Sequence, residues 1–301
     1  MIDPREARGH AAMLLFSALI AGSFSLGAMV ANQVDPTAFM AARFVIAGLV
    51  IGGAAALTSG FKRAYFQAPW RYLILGALFA FYFVLMFEGL KTSTPVSSAA
   101  VFTLTPLMAA GFGYLLLRQV TTARMAFALS VGAVGAVWVI FRADLGALIA
   151  FDIGRGEAIF FVGCVGHALY TPLVPKLNRG EPPTVFTFGM ILGGLVVLVL
   201  FGWSEIIAMP WLSLPAFTWL VLGYLSIFAS AATFLLLLYG SMRLPAAKVM
   251  AYTYLTPSWV ILWEIGLGNG VPPVLILVGV AMTVIALLLL LKSETPAPVP
   301  D

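Results

Sequence analysis

Ten long apolar segments follow one another along the chain, separated by short polar or proline-containing stretches. Each is long enough for an α-helix that crosses a bilayer, which needs about 20 residues. The strict alternation of apolar and polar residues found in membrane β-barrels is absent, so helices are favoured. The pattern predicts an all-α membrane protein with helices near 10–31, 37–57, 71–90, 96–117, 124–141, 156–175, 184–203, 216–238, 246–267 and 272–291.

The breaks between the segments carry turn-forming residues, as in Asn32–Pro36, Gly180–Pro183 and Gly268–Pro272. No break is long enough to hold a soluble domain. The first apolar segment is too long for the core of a signal peptide, so it is predicted to be a retained span. The proline-containing tail 293–301 is predicted to be disordered.

Lysine and arginine residues predict the orientation of these helices. If the N-terminus is cytoplasmic, twelve of the sixteen fall in cytoplasmic segments, three fall outside, and Arg43 lies within a span. Membrane proteins keep their basic residues on the cytoplasmic side. The asymmetry therefore predicts ten spans with both termini in the cytoplasm.

Composition narrows the class of protein further. The chain is 62% hydrophobic and only 9% charged, whereas soluble domains are about 25% charged. This excludes a water-soluble enzyme and a disordered protein. The net charge of +4 comes from scattered basic residues, so no nucleic-acid partner is predicted. Cys164 is the single cysteine, and an intrachain disulfide is impossible.

The two halves of the chain resemble each other weakly. Pro36–Phe39 matches Pro183–Phe186 at an offset of 147 residues, and Leu104–Pro106 matches Leu255–Pro257 at an offset of 151. An odd number of spans per half turns the second half over in the membrane. The matches predict two inverted five-helix repeats, residues 1–147 and 148–292, an architecture of secondary transporters whose substrate site lies between the repeats.

The sequence resembles the EamA family of the drug/metabolite transporter superfamily over nearly its whole length. The motifs that carry the resemblance are Asp35–Pro36, Ala42–Phe44, Gly89–Lys91, Leu104–Leu107, His167–Tyr170, Tyr239–Ala247 and Tyr254–Pro257. Arg118 and Asn269 stand about where the family usually has a Glu and a polar or acidic residue, so that feature does not carry over. Within the family, the chain most resembles YddG-type exporters of aromatic amino acids. The resemblance implies export of amino acids, aromatic ones in particular.

His167 is the strongest single candidate for a substrate-binding residue. It lies about eleven residues into the sixth span, near the midplane, where an imidazole needs polar partners. Tyr170 lies three residues later on the same helix face. The alternative for His167 is a hydrogen-bonded residue that serves packing alone.

Four more residues are candidates for the substrate cavity: Tyr82, Tyr252, Trp259 and the hydroxyl-bearing Ser230. They lie in spans three, eight and nine, which should line the centre. Aromatic residues near span ends are usually interfacial anchors, an explanation that suits mid-span positions less well.

Charges inside spans are costly and are therefore functional candidates. Arg43 and Glu88 both lie in the outer half and could pair with each other, and Glu264 lies near the outer end of span nine. A structural ion pair or interfacial placement is the alternative. Pro106 and Pro257 lie near the middles of equivalent spans and predict kinks that could act as hinges or gates.

No catalytic motif appears, so no enzyme and no catalytic residues are predicted. Two histidines and one cysteine cannot build a metal site, and no cofactor is predicted.

Phosphate cargo would need several buried basic residues, and cation cargo would need a central carboxylate. The prediction is a multi-pass exporter of the bacterial-type inner membrane, surrounded by lipid, that carries amino acids by alternating access. Another small neutral or amphipathic solute remains the alternative, and a membrane enzyme a weaker one. The oligomeric state, a monomer included, is left open, as is energy coupling.

Overall fold

A computed structural model describes residues 4–241, 243–244 and 246–291, and every regular element in these ranges is helical. The predicted disordered tail 293–301 lies outside the described residues. In chain order the α-helices are α1 (Pro4–Ala31), α2 (Pro36–Thr58), α3 (Trp70–Leu90), α4 (Pro95–Phe102), α5 (Thr105–Leu117), α6 (Ala123–Ile140), α7 (Leu145–Ala150), α8 (Arg155–Leu177), α9 (Pro183–Phe201), α10 (Trp203–Ala208), α11 (Ala216–Ser226), α12 (Thr233–Ser241), α13 (Ala246–Ala251), α14 (Thr256–Gly266) and α15 (Val274–Leu291).

Three segments that the sequence predicts as single helices are interrupted. The α4–α5 segment breaks just before Pro106. A π-helical turn, Ile227–Ala232, joins α11 to α12. A 3-10 turn, Tyr252–Leu255, joins α13 to α14 just before Pro257. Each proline occupies the first turn of the helix that follows it, where its missing N–H removes no helical hydrogen bond.

Within the described ranges, nine helical segments are long and apolar enough to cross a membrane. They coincide with nine of the ten predicted segments. The segment predicted near 246–267 is divided into α13, the 3-10 turn and α14, so none of its pieces is long enough alone. The all-helical prediction is confirmed, and the tenth span stays a prediction.

Polar side chains set the starts of several helices. Asp35 accepts a hydrogen bond from the N–H of Ala38 and is followed by Pro36 in the first turn of α2. Thr94 and Thr122 bond in the same way at the starts of α4 and α6. Each cap satisfies an N–H that the helix itself leaves without an acceptor.

Glycines allow the helices to cross closely. A Cβ on Gly76 of α3 would collide with the backbone of Gly193 and Gly194 in α9. A Cβ on Gly135 of α6 would stand 2.6 Å from the carbonyl oxygen of Gly279 in α15. Small residues at such crossings let backbones approach in membrane bundles, where lipid offers no hydrophobic drive for association.

Large apolar side chains cover the outside of the bundle as well as its core. Leu57 is 90% exposed and Phe201 is 83% exposed, whereas Phe24, Phe39 and Phe87 are buried between helices. A surface of this kind is stable in lipid and not in water. The fold is therefore that of a multi-pass membrane protein.

Candidate functional site

A cavity of about 390 Å³ lies inside the helical bundle. Residues of α1, α3, α4, α8, α12 and α13 form its wall, together with the π-helical and 3-10 turns. Pro175 lies near the end of α8, Leu237 lies near the end of α12, and Met250 lies in the short helix α13. All three are at the end of the bundle where α1 begins. The cavity thus reaches from the middle of the bundle toward that end. Its volume is in the range of small-molecule sites, about 300–1,000 Å³.

Several of the aromatic residues that line this cavity pack against one another. Phe79 stacks on Tyr170 with ring centroids 5.3 Å apart and meets Phe83 edge-on at 4.7 Å. Tyr82 lies 4.9 Å from Phe83, and Phe234 lies 5.1 Å from Phe79. We call these five residues the aromatic wall. Rings packed in tilted and edge-on pairs can accept a further ring in the same geometries.

His167 lies against this wall and lines the cavity. Its ring centroid is 4.7 Å from that of Tyr82, 5.7 Å from that of Phe102 and 5.9 Å from that of Tyr170. Its Nδ1 is buried without a hydrogen-bond partner. A neutral imidazole nitrogen donates or accepts according to its tautomer, so His167 can bond to either kind of polar group on a ligand.

The three threonine hydroxyls of the cavity differ from His167 because each already donates a hydrogen bond to a backbone carbonyl oxygen. Thr171 donates to the carbonyl oxygen of His167, Thr233 to that of Ser230, and Thr253 to that of Met250. Among the described residues that line the cavity, His167 alone has a buried side-chain nitrogen or oxygen with no partner. Since buried polar groups are nearly always bonded, this nitrogen marks the place for a ligand or a water.

The structure brings together three of the six predicted substrate-binding residues: His167, Tyr170 and Tyr82 all line the cavity. Tyr252 and Trp259 are outside its wall. The Tyr252 hydroxyl is 2.8 Å from Nδ1 of His10, and the Trp259 indole donates to Ser17 at 3.0 Å. Substrate contact by these two residues stays a prediction.

The sixth predicted residue, Ser230, is also outside the wall, because its hydroxyl accepts a 2.9 Å hydrogen bond from Nε of Arg43. The expected pairing of Arg43 with Glu88 does not form. Glu88 instead forms an ion pair with Lys91, three residues later, with Nζ of Lys91 2.6 Å from Oε2 of Glu88. The nearer partner on the same helix end satisfies Glu88, while Arg43 points between α2 and the π-helical turn.

The third candidate charge, Glu264, lies near the end of α14. One of its carboxylate oxygens accepts a 2.8 Å hydrogen bond from Asn269, and the other is buried without a partner. Pro106 and Pro257 lie just after the breaks of their segments. The roles of the two prolines in gating, and of Glu264 in coupling, stay predictions.

Sequence reasoning missed the contribution of α1 to the cavity. Phe16, Ile20 and Phe24 line it and are spaced four residues apart, which places them on one helix face. Phe102 and Phe234 also line the cavity and were not selected. The four-residue spacing is the signal that could have found the α1 face, but α1 is apolar all round and the stripe does not stand out.

A bundle of apolar helices around an internal cavity with an aromatic wall defines a multi-pass membrane protein with a candidate small-molecule site. The EamA-like transporter family matches the chain twice, over residues 7–141 and 154–292. The chain belongs to this family. Membership of this family makes it a membrane transporter.

Two individual proteins are similar to the chain. An uncharacterized transporter, YyaM, from Bacillus subtilis (strain 168) is 25% identical over 264 residues, which cover 86% of each chain. A protein of known crystal structure has a TM-score of 0.68 at 22% identity, over 95% of each chain. The second likeness shows the fold alone.

Proposed function

We propose that this protein is a secondary transporter that exports amino acids, preferring aromatic ones such as phenylalanine, tryptophan and tyrosine. The cavity carries this proposal. Its volume suits a small solute, its aromatic wall suits a flat ring, and His167 offers one unpaired nitrogen for a polar group. The resemblance to YddG-type exporters supports the aromatic substrate and the outward direction.

We propose ten spans arranged as two inverted five-helix repeats, divided near residue 147, with alternating access to the cavity. Two features support this. The family matches each half separately, and the segments that contain Pro106 and Pro257 are both interrupted at corresponding positions. Both termini would then face the cytoplasm of a bacterial-type cell, and the cavity would extend toward the cytoplasmic side.

The proposal is tested with purified protein in proteoliposomes. Radiolabelled phenylalanine should enter these vesicles faster than protein-free vesicles, and excess tryptophan should compete with it. Absence of stimulation by every member of an amino-acid panel would refute amino-acid transport. Competition by unrelated neutral amphipathic solutes, without competition by amino acids, would favour the alternative of a general metabolite exporter.

The role of His167 is tested by His167→Ala, with Val162→Ala as the matched control. Val162 lies on the same helix, is 50% exposed on the outside of the bundle and does not line the cavity. His167→Ala should lower phenylalanine transport at normal membrane expression, whereas Val162→Ala should not. Wild-type rates in His167→Ala would reduce His167 to a packing residue.

The orientation is tested by labelling single cysteines in a Cys164→Ala background, since Cys164 is the only cysteine and is buried. An impermeant thiol reagent added outside intact cells should label Arg142→Cys and should not label Lys62→Cys. The opposite result would contradict a cytoplasmic N-terminus.

A further inference from the structure

Arg43 is a fully buried cation without an acidic partner. Its side chain is 0% exposed in the middle of the bundle. Nε donates to the Ser230 hydroxyl at 2.9 Å and Nη2 to the carbonyl oxygen of Ala229 at 3.2 Å. A third, longer hydrogen-bond contact of 4.0 Å runs from Nη1 to the sulfur of Met40. In the described part of the chain, it forms no ion pair.

The guanidinium lies directly behind the cavity wall. Its central carbon is 3.8 Å from the ring centroid of Phe83. Phe83 and Ala229 both line the cavity, and Arg43 itself does not. Ala229, whose carbonyl oxygen accepts from Nη2 of Arg43, lies within the π-helical turn, where the regular α-helical hydrogen-bond pattern is interrupted. One layer of protein therefore separates the positive charge from the empty space.

The cavity has nothing to balance that charge. No aspartate or glutamate is among its described lining residues. A buried charge is costly unless an opposite charge lies close to it, and π-helical turns in helices are frequent at functional sites. The field of Arg43 through an apolar wall therefore makes the cavity attractive to an anionic group and repellent to a cationic one.

We infer that the cavity recognises the carboxylate of its ligand and not the ammonium group, so that aromatic monocarboxylates lacking the amino group are ligands at least as good as the amino acids. This inference rests on the proposed function, because it uses the same cavity. Arg43 supplies the attraction for the carboxylate, and His167 supplies an unpaired nitrogen in the cavity wall that can donate to it. The aromatic wall holds the ring.

Three compounds that share one phenyl ring test the inference on the unaltered protein. 3-Phenylpropanoate carries only the carboxylate, phenylalanine carries both groups, and phenethylamine carries only the ammonium. Binding is measured by calorimetry on protein in lipid nanodiscs at pH 7. We expect 3-phenylpropanoate to bind at least as tightly as phenylalanine and about a hundredfold more tightly than phenethylamine. A unit charge about 10 Å away, at an effective dielectric constant of about 20, favours the carboxylate about tenfold and disfavours the ammonium by about the same factor.

Phenethylamine binding as tightly as 3-phenylpropanoate would overturn this inference while leaving an aromatic ligand, and the proposed function, in place. Binding of phenylalanine with none of 3-phenylpropanoate would do the same. Binding of none of the three would refute the proposed aromatic substrate, and this inference with it.

Variants of Arg43 then connect the preference to the charge. Arg43→Met should lower the ratio of 3-phenylpropanoate to phenethylamine affinity about a hundredfold, and Arg43→Lys should keep most of it because the charge remains. Lys91→Met is the matched control, since it removes a partly exposed positive charge that already pairs with Glu88. An unchanged ratio in Arg43→Met, with the protein folded, would overturn the role of Arg43.

Discussion

Removing one partner of the buried ion pair between Arg71 and Glu181 should destabilise the protein far more than removing one partner of the other ion pair in the described ranges. Nη2 of Arg71 is 2.6 Å from Oε1 of Glu181, and the two side chains are 1% and 3% exposed. Arg71 also donates to the carbonyl oxygens of Leu177 and Gln67. These contacts join the start of α3 to the end of α8 and to the loop that follows it, and α3 and α8 carry Tyr82 and His167.

Removing one partner leaves the other buried and unpaired, which costs about 3–5 kcal/mol. Arg71→Met and Glu181→Met should each lose about this amount. The double variant should lose clearly less than the sum, because neither charge is then left without its partner. At about 2 °C per kcal/mol, the single variants should unfold roughly 6–10 °C below the wild type. The measurement is thermal unfolding in detergent, followed by size-exclusion chromatography with fluorescence detection.

The exposed pair Lys91–Glu88 is the matched control. Its side chains are 27% and 39% exposed, and exposed pairs contribute about 0–1 kcal/mol. Lys91→Met should therefore shift the unfolding temperature little. Strictly additive losses in the double variant of Arg71 and Glu181, or a loss no larger than that of Lys91→Met, would refute the reasoning.

Acid should abolish the same contribution. Burial acts to raise the pKa of Glu181, but hydrogen bonds from Arg71 and from the N–H of Arg179 outweigh it, so the pKa lies below its usual value. A carboxyl with a lower pKa in the folded state stabilises the fold at pH values above its unfolded pKa, about 4.3, and loses this contribution as the pH falls through the folded pKa. The stability difference between wild type and Glu181→Met should therefore shrink below about pH 4 and persist at pH 7. A difference that stays constant on acidification would contradict it.

Three further predictions concern packing, the cavity and the helix breaks. Gly135→Val should lower the yield of folded protein, because the valine side chain would collide with the backbone of α15. Gly111→Val should be tolerated, since no atom lies within 4 Å of a Cβ there, and equal yields of the two variants would contradict close packing at Gly135. Tyr170→Ala should weaken phenylalanine binding, measured by calorimetry, roughly three- to tenfold through loss of a ring contact, while Tyr170→Phe should bind phenylalanine as the wild type does. Equal affinities of the two variants would show that Tyr170 is not part of the site. If the helix breaks serve as hinges, Pro106→Ala and Pro257→Ala should slow phenylalanine transport in proteoliposomes with little change in binding affinity. Unchanged transport rates would show that the breaks do not act as hinges.

Helix positions follow closely from the sequence because membrane length and apolarity act locally. The predicted segment 37–57 is α2 (Pro36–Thr58), and 156–175 is α8 (Arg155–Leu177). Asp35 and Thr94 mark starts through caps that depend only on neighbouring residues. The interruption before Pro257 was predicted as a kink, but its length was not, because the 3-10 turn depends on packing against α1 and α15.

The sequence by itself determined that this chain is a membrane protein with helices of known position, and it selected His167, Tyr170 and Tyr82 as candidates for one site. Only the tertiary structure decided that these three share a cavity while Tyr252 and Trp259 bond elsewhere, and that Arg43 meets the π-helical turn instead of Glu88. The physical reason is that apolarity of a span is a property of consecutive residues. The partner of a buried polar group is chosen by which helix faces meet, and continuously apolar helices do not encode those faces in their pattern.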